Sequence, residues 1–211
     1  MKIKMRNVAL AAALTLASTG ASAQIELAQN GGFETGDFTG WQQFLNGGTQ
    51  TITTFNPSTG TFAVNLTAEG GPFNTLIKNA NLGVGIVNPG DEITISFDAR
   101  GSTADGGVAF AEFFTELDGG GTSSAEILGG APLALSADPE EWTSFSFTTT
   151  VGPDASGGIT LQFVAACGAS PSCVSDIYFD NVSITAVPVP AAVWLFASAL
   201  GMLGFGARRR G

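Results

Sequence analysis

Histidine is absent from all 211 residues, and lysine and arginine together number only eight. Without imidazole the chain has no Ser-His-Asp triad, no zinc site of the common types and no side chain that titrates unperturbed near neutral pH. The cations it does have lie mostly at its ends. Lys2, Lys4 and Arg6 open the chain and Arg208, Arg209 and Arg210 close it. Residues 24–187 therefore keep only Lys78 and Arg100 against all 18 acidic residues, a formal charge of −16. Such a surface repels a phosphate backbone, which excludes nucleic acid as a partner. It suits multivalent cations, Ca²⁺ above all, or simply keeps a protein soluble. Cysteine is almost missing too, with only Cys167 and Cys173. Their five-residue spacer does not fit a Cys-x-x-Cys redox motif, so in an oxidising compartment the pair is expected to close a small disulfide loop.

What the middle of the chain lacks, the ends hold. Residues 1–6 are basic, residues 8–16 largely apolar, and Ala21-Ser22-Ala23 follows. That order predicts a secretory signal peptide over residues 1–23, cut by signal peptidase between Ala23 and Gln24. Residues 191–207 contain no ionisable side chain and precede three arginines. As a helix they reach about 25 Å, enough to cross a hydrocarbon core, with the arginines held on the cytoplasmic side. A buried core helix with a basic tail is the alternative, but the segment has no polar stripe. The expectation is an exported protein, with an ectodomain over residues 24–186 and a membrane helix within residues 187–211.

Pro188-Val189-Pro190, the apolar helix containing Trp194-Leu195-Phe196, and the closing arginines together resemble the PEP-CTERM sorting signal. The resemblance implies handling by an exosortase-type sorting peptidase. It also implies anchoring at the inner membrane, then residence at the cell surface or in the extracellular matrix. The family's tripeptide is Pro-Glu-Pro, and this chain has Val189 at its centre.

Between the signals, period-two alternation recurs and helical periodicity does not. Strands are expected near residues 49–55, 61–66, 91–100, 108–117, 142–149, 159–165 and 177–184, separated by Gly, Pro, Asn and Asp clusters. In residues 91–100, for example, Ile93, Ile95 and Phe97 alternate with Thr94, Ser96 and Asp98. Short half-wet strands without intervening helices predict an all-β antiparallel sandwich, its interior filled by many of the 16 phenylalanines.

The two ends of this region are similar to galactose-binding-like jelly rolls found among carbohydrate-binding modules. The likeness rests on Asn30-Gly31-Gly32-Phe33-Glu34-Thr35-Gly36 with Gly40-Trp41, and on Ile177-Tyr178-Phe179-Asp180-Asn181-Val182. It implies a structural Ca²⁺ held by Glu34 and Asp180; satisfying turn amides is the plainer role for both. Sugar binding needs exposed aromatic rings, and Trp41 and Trp142 are the only tryptophans outside the membrane segment. Either can equally be a core plug. No catalytic residue is expected. Glycoside hydrolysis needs two carboxylates across a cleft, and pairs such as Glu112 with Glu116 or Glu140 with Glu141 fall in turns or on wet faces. Three functions follow in order: a non-catalytic matrix domain contacting exopolysaccharide, a structural or adhesive protein without a sugar site, and a small glycan hydrolase.

Overall fold

The computed structural model describes residues 24–187. The signal peptide, the Pro188–Pro190 motif and the membrane helix expected over residues 191–207 lie outside the described residues. Among the described residues no helix is long and apolar enough to cross a membrane.

Eleven strands form two antiparallel sheets, an all-β sandwich. In chain order they are β1 (Ile25–Glu26), β2 (Gln42–Asn46), β3 (Thr49–Thr53), β4 (Ala63–Glu69), β5 (Asn74–Leu82), β6 (Glu92–Ala104), β7 (Gly107–Glu116), β8 (Thr122–Ile127), β9 (Thr143–Thr150), β10 (Gly158–Cys167) and β11 (Val174–Val187). One sheet runs β3-β4-β11-β6-β9, with β1 added along β11. The other runs β2-β5-β10-β7-β8. A single 3₁₀ turn follows β8.

Alternation explains most of this. Ile93, Ile95, Phe97 and Ala99 of β6 are buried while Thr94 and Ser96 are only partly covered. Opposite them, β10 sends Ile159, Leu161, Phe163 and Ala165 inward. Phe163 stacks on Phe179 of the facing sheet at 4.1 Å and meets Phe97 edge-on at 4.8 Å, which ties the two layers at their centre. The Cys167–Cys173 disulfide joins the end of β10 to the residue before β11, bridging the sheets.

In β11 the alternation changes parity. Ile177 and Phe179 point inward, but so do Val182, Ile184 and Ala186. A bulge lies between Asp180 and Ser183, with Asn181 at φ +52°, and the extra residue keeps both halves of the strand on the core. Gly31 O accepts the Val182 N–H at 2.9 Å there, and β1 then pairs with β11 at Ala186 and Thr185.

Candidate functional site

The outer face of the five-stranded sheet carries a patch of aromatic and polar side chains. At its centre runs β10, whose outward residues Thr160, Gln162 and Val164 are only 0%, 7% and 8% exposed. Longer side chains on the flanking strands rise above them. One cross-strand row reads Gln42, Lys78, Gln162, Glu112, and the next reads Phe44, Leu76, Val164, Phe110. Phe114 stands beside Thr160. The face is thus apolar along one row and polar along its neighbour, as a surface must be that takes both the C–H face and the hydroxyls of one ligand.

Lys78 extends over β10. Its ammonium lies 5.5 Å from the Phe44 ring centroid and 5.3 Å from that of Phe114, so it bridges β5 to β2 and β7. Gln162 Nε2 donates to Glu112 Oε2, fixing both side chains. Beside this patch, at the end of β5 and β7, lies a pocket of 490 Å³ lined by Phe44, Lys78, Val84, Glu116 and Asp118, among others. One ring, one ammonium and two carboxylates therefore meet in that pocket.

Each residue singled out by the sequence has a place. Trp41 is 5% exposed and stacks on Phe33 at 5.2 Å and Phe163 at 5.8 Å, while its Nε1 donates to Asn30 O. Of the two roles open to it, this packing is that of a core plug, with the ring spent on the interior. Trp142 is half-buried on the opposite face of the sandwich, with Nε1 donating to Asn56 O and its ring 5.1 Å from the Arg100 guanidinium. Cys167 and Cys173 are bonded as expected. Ala23, Pro188, Val189 and Pro190 lie outside the described residues, and Gln24 begins them.

Glu34 and Asp180 come together under one loop. Asp180 Oδ2 accepts the Thr59 N–H at 2.9 Å and its Oδ1 the Asn181 N–H at 2.6 Å. Glu34 Oε1 accepts from the amides of Thr61 and Phe62 at 2.9 and 3.0 Å. A Cβ on Gly32 would sit 3.4 Å from Glu34 Cγ and 3.9 Å from Asp180 Oδ1, so this glycine lies between the two carboxylates. Asp98 joins them through the same loop, accepting from Ser58 Oγ at 2.5 Å and from Asn181 Nδ2 at 3.1 Å. The turn-amide role is visible for both residues. Among the described residues no group of three or more His, Cys, Asp or Glu side chains converges as a metal site.

These contacts set the acidities. Burial pushes the Asp180 carboxyl above the usual range, the Thr59 and Asn181 amides pull it partway back, and Asp98 adds to the rise. Glu34 is held below the usual range by the amides of Phe62 and Thr61. A carboxyl lowered in the fold adds stability above its unfolded pKa, and loses it as pH falls through the folded value. The raised Asp180 acts in the opposite sense, its contribution being lost as pH rises through its folded value. In melts from about pH 5 to 3, Glu34→Gln is therefore expected to lose less stability than the unmodified protein. Parallel curves for the two proteins would contradict that assignment.

This face was not legible as a site in the sequence. Phe110 and Phe114 sit in an apolar run that reads as core, and Lys78 sits in β5, which the alternation did not reveal.

No protein-family description matches the chain, and no curated protein sequence matches it. Solved structures do share the fold. The enzymatically active domain of tailspike protein 4 from bacteriophage CBA120 aligns with TM-score 0.61 and 15% identity, over 77% of this chain and 22% of that one. This chain thus spans under a quarter of the tailspike structure. The CBM22-1 xylan-binding domain of Xyn10C from Paenibacillus barcinonensis aligns with TM-score 0.53 and 12% identity, over 78% and 94%. TmCBM61, solved with β-1,4-galactotriose, aligns with TM-score 0.50 and 16% identity, over 76% and 97%. At these identities the likeness establishes the two-sheet antiparallel β-sandwich fold and nothing finer.

Proposed function

We propose that residues 24–187 form a non-catalytic polysaccharide-binding domain of an exported, surface-anchored protein, and that the glycan lies on the outer face of the five-stranded sheet, over β10. The observation that carries this reading is that face itself, which brings Phe44, Phe110 and Phe114 beside Lys78, Gln162 and Glu112. Its support from the neighbours is that one is described as xylan-binding and another was solved with a galactotriose. Export and anchoring rest on the two terminal signals, with exopolysaccharide of the extracellular matrix as the natural partner. Electrophoresis of the protein through gels cast with β-1,4-galactan, xylan and other polysaccharides tests the reading. Retardation by at least one polymer is expected. Unaltered migration in every gel would overturn it.

A hydrolase is the weaker reading. Glu112 and Glu116 share the outer face of β7, but Glu112 Oε2 is already engaged by Gln162 Nε2, which holds that carboxylate against β10.

A structural Ca²⁺ belongs to the same proposal. Glu34 and Asp180 would hold it, with Gly32 leaving room between them, and the ion would offset the charge that burial penalises on Asp180. Binding to the folded state alone raises the melting temperature with free Ca²⁺. Glu34→Gln and Asp180→Asn should each remove most of that rise. Equal shifts with Ca²⁺ and Mg²⁺ in all three proteins would instead indicate general screening of the acidic surface.

A further inference from the structure

β11 carries the chain out of the described residues at Val187, and its register shows at which end of the sandwich that happens. Val187 pairs with Glu92, the first residue of β6, and Glu92 pairs with Thr150 at the end of β9. Hydrogen bonds run on past them, the Val151 N–H donating to Asp91 O at 2.9 Å and the Gly90 N–H to Val151 O at 3.0 Å. In an antiparallel pair the residues before Glu92 lie on the side toward which β11 leaves. The connection from β5 to β6, residues 83–91, therefore stands at the end from which the chain departs.

That connection is built around an exposed apolar tip. Leu82 and Val87, 1% and 5% exposed, fasten its two feet to the core, while Val84 and Ile86 between them are 55% and 46% exposed. Gly83 O accepts both the Ile86 N–H at 2.8 Å and the Val87 N–H at 2.9 Å. A Cβ on Gly83 would lie 2.8 Å from Val87 Cγ1, so the turn is also tightly packed. Single apolar side chains scattered over a surface are ordinary. These two share one braced tip, on the end of the domain that the chain leaves from.

Residues 188–190 are all that separate Val187 from the uncharged run over residues 191–207. Four steps of extended chain, from Val187 to residue 191, cover at most about 14 Å. The headgroup layer on each side of a bilayer is about 5–8 Å deep. With that run in a membrane, this end of the sandwich stands at the lipid surface.

We infer that Val84 and Ile86 dip into the headgroup region of the membrane that anchors the chain, seating the sandwich end-on against it. The inference rests on the surface-anchored reading. Tethering makes the contact intramolecular, so two aliphatic side chains too few to hold a free protein suffice. The surroundings select the lipid. The connections over residues 117–121 and 151–157 lie at the same end, joined where the Gly157 N–H donates to Glu116 O at 2.9 Å. Together with residues 83–91 they contain no lysine or arginine, and Glu92, Asp118 and Asp154 are exposed there. Such an end suits the ammonium groups of zwitterionic headgroups and is repelled by anionic ones. End-on seating also leaves the outer face over β10 clear of the bilayer.

Fluorescence of the full chain in phosphatidylcholine–phosphatidylethanolamine vesicles tests this, with the environment-sensitive NBD group attached at Ile86→Cys. Cys167 and Cys173 are held in their disulfide and do not take the label. A second protein carries the label at Thr103→Cys, eleven residues along β6 from Glu92 and so about 36 Å away. Docking predicts blue-shifted emission at residue 86 and its loss when spin-labelled lipid is added. The label at residue 103 should keep its aqueous emission in both conditions, and Val84→Asp should return residue 86 toward it. If the chain floats with the vesicles after an alkaline wash but both labels stay aqueous, docking is overturned while anchoring stands. A chain that does not float would remove the surface-anchored reading and this inference with it.

Discussion

Replacing Arg100 by Ala is expected to destabilise the domain by about 3–4 kcal/mol, lowering its melting temperature by roughly 10 °C. Arg100 is 1% exposed and lies under three rings, with its guanidinium 3.8 Å from the Tyr178 centroid, 5.1 Å from Trp142 and 5.3 Å from Phe55. It donates to Phe55 O at 3.0 Å and to Pro139 O at 3.3 Å, which fastens two connections to β6. Its ion pair with Glu140 at 3.6 Å counts for little, because Glu140 is 54% exposed. Nor is the arrangement fully satisfied, since Nε is buried without a partner. The alanine leaves two carbonyls unpaired and a void among the rings. Arg100→Met refills the void and should recover about half the loss. Thermal melts of both variants read this, and an Ala variant within about 1 kcal/mol of the unmodified protein would show that the cage is ornamental.

Gly31→Ala is expected to cost at least about 3 kcal/mol, and Gly32→Ala less than about 1 kcal/mol. The neighbours are chemically identical, and the difference lies in what each faces. A Cβ on Gly31 would lie 1.9 Å from Val182 O, so the opening segment must leave β11. That breaks the Val182 N–H to Gly31 O bond and strains the β1 pairing beyond it. A Cβ on Gly32 meets only Glu34 Cγ at 3.4 Å and Asp180 Oδ1 at 3.9 Å. Urea unfolding of the pair checks the contrast. Equal midpoints would contradict the close approach of the first and last segments.

Seven strands were legible because their faces differ, as Ile93, Ile95 and Phe97 differ from Thr94, Ser96 and Asp98. β5 was not, because its inward positions include Thr75 and Asn79, both 0% exposed. Asn79 is affordable in the core only through distant backbone. It accepts the Gln29 N–H and donates to Gln29 O and Gly40 O, at 2.9–3.0 Å. No local pattern signals such a partner. β2, with five exposed residues, and the polar β8 lack the contrast altogether. The bulge in β11 hides in the same way, since Asp180-Asn181-Val182 interrupts the period in sequence and restores it in space.

The sites divide similarly. The disulfide was readable from spacing and compartment, and the meeting of the opening and closing motifs from resemblance. Trp41 and Trp142 could not be sorted by sequence, because a ring's exposure depends on strands far away in the chain. The outer face over β10 was hidden for the opposite reason. Phe110 and Phe114 look like core residues until β7 is seen to send Ala109, Ala111 and Phe113 inward instead.

The measurement that tests the account most directly is affinity electrophoresis of four proteins through the polysaccharide gel that retards the unmodified one. The proteins are the unmodified chain, Phe44→Ala, Phe114→Ala and Trp142→Ala, each first shown to be folded. Binding on the outer face over β10 predicts that the two phenylalanine variants lose retardation by about tenfold or more in affinity, as loss of an aromatic contact near 1.4 kcal/mol implies, while Trp142→Ala migrates unchanged. Undiminished retardation of both phenylalanine variants, with loss in Trp142→Ala, would place the glycan on the opposite sheet and contradict the account.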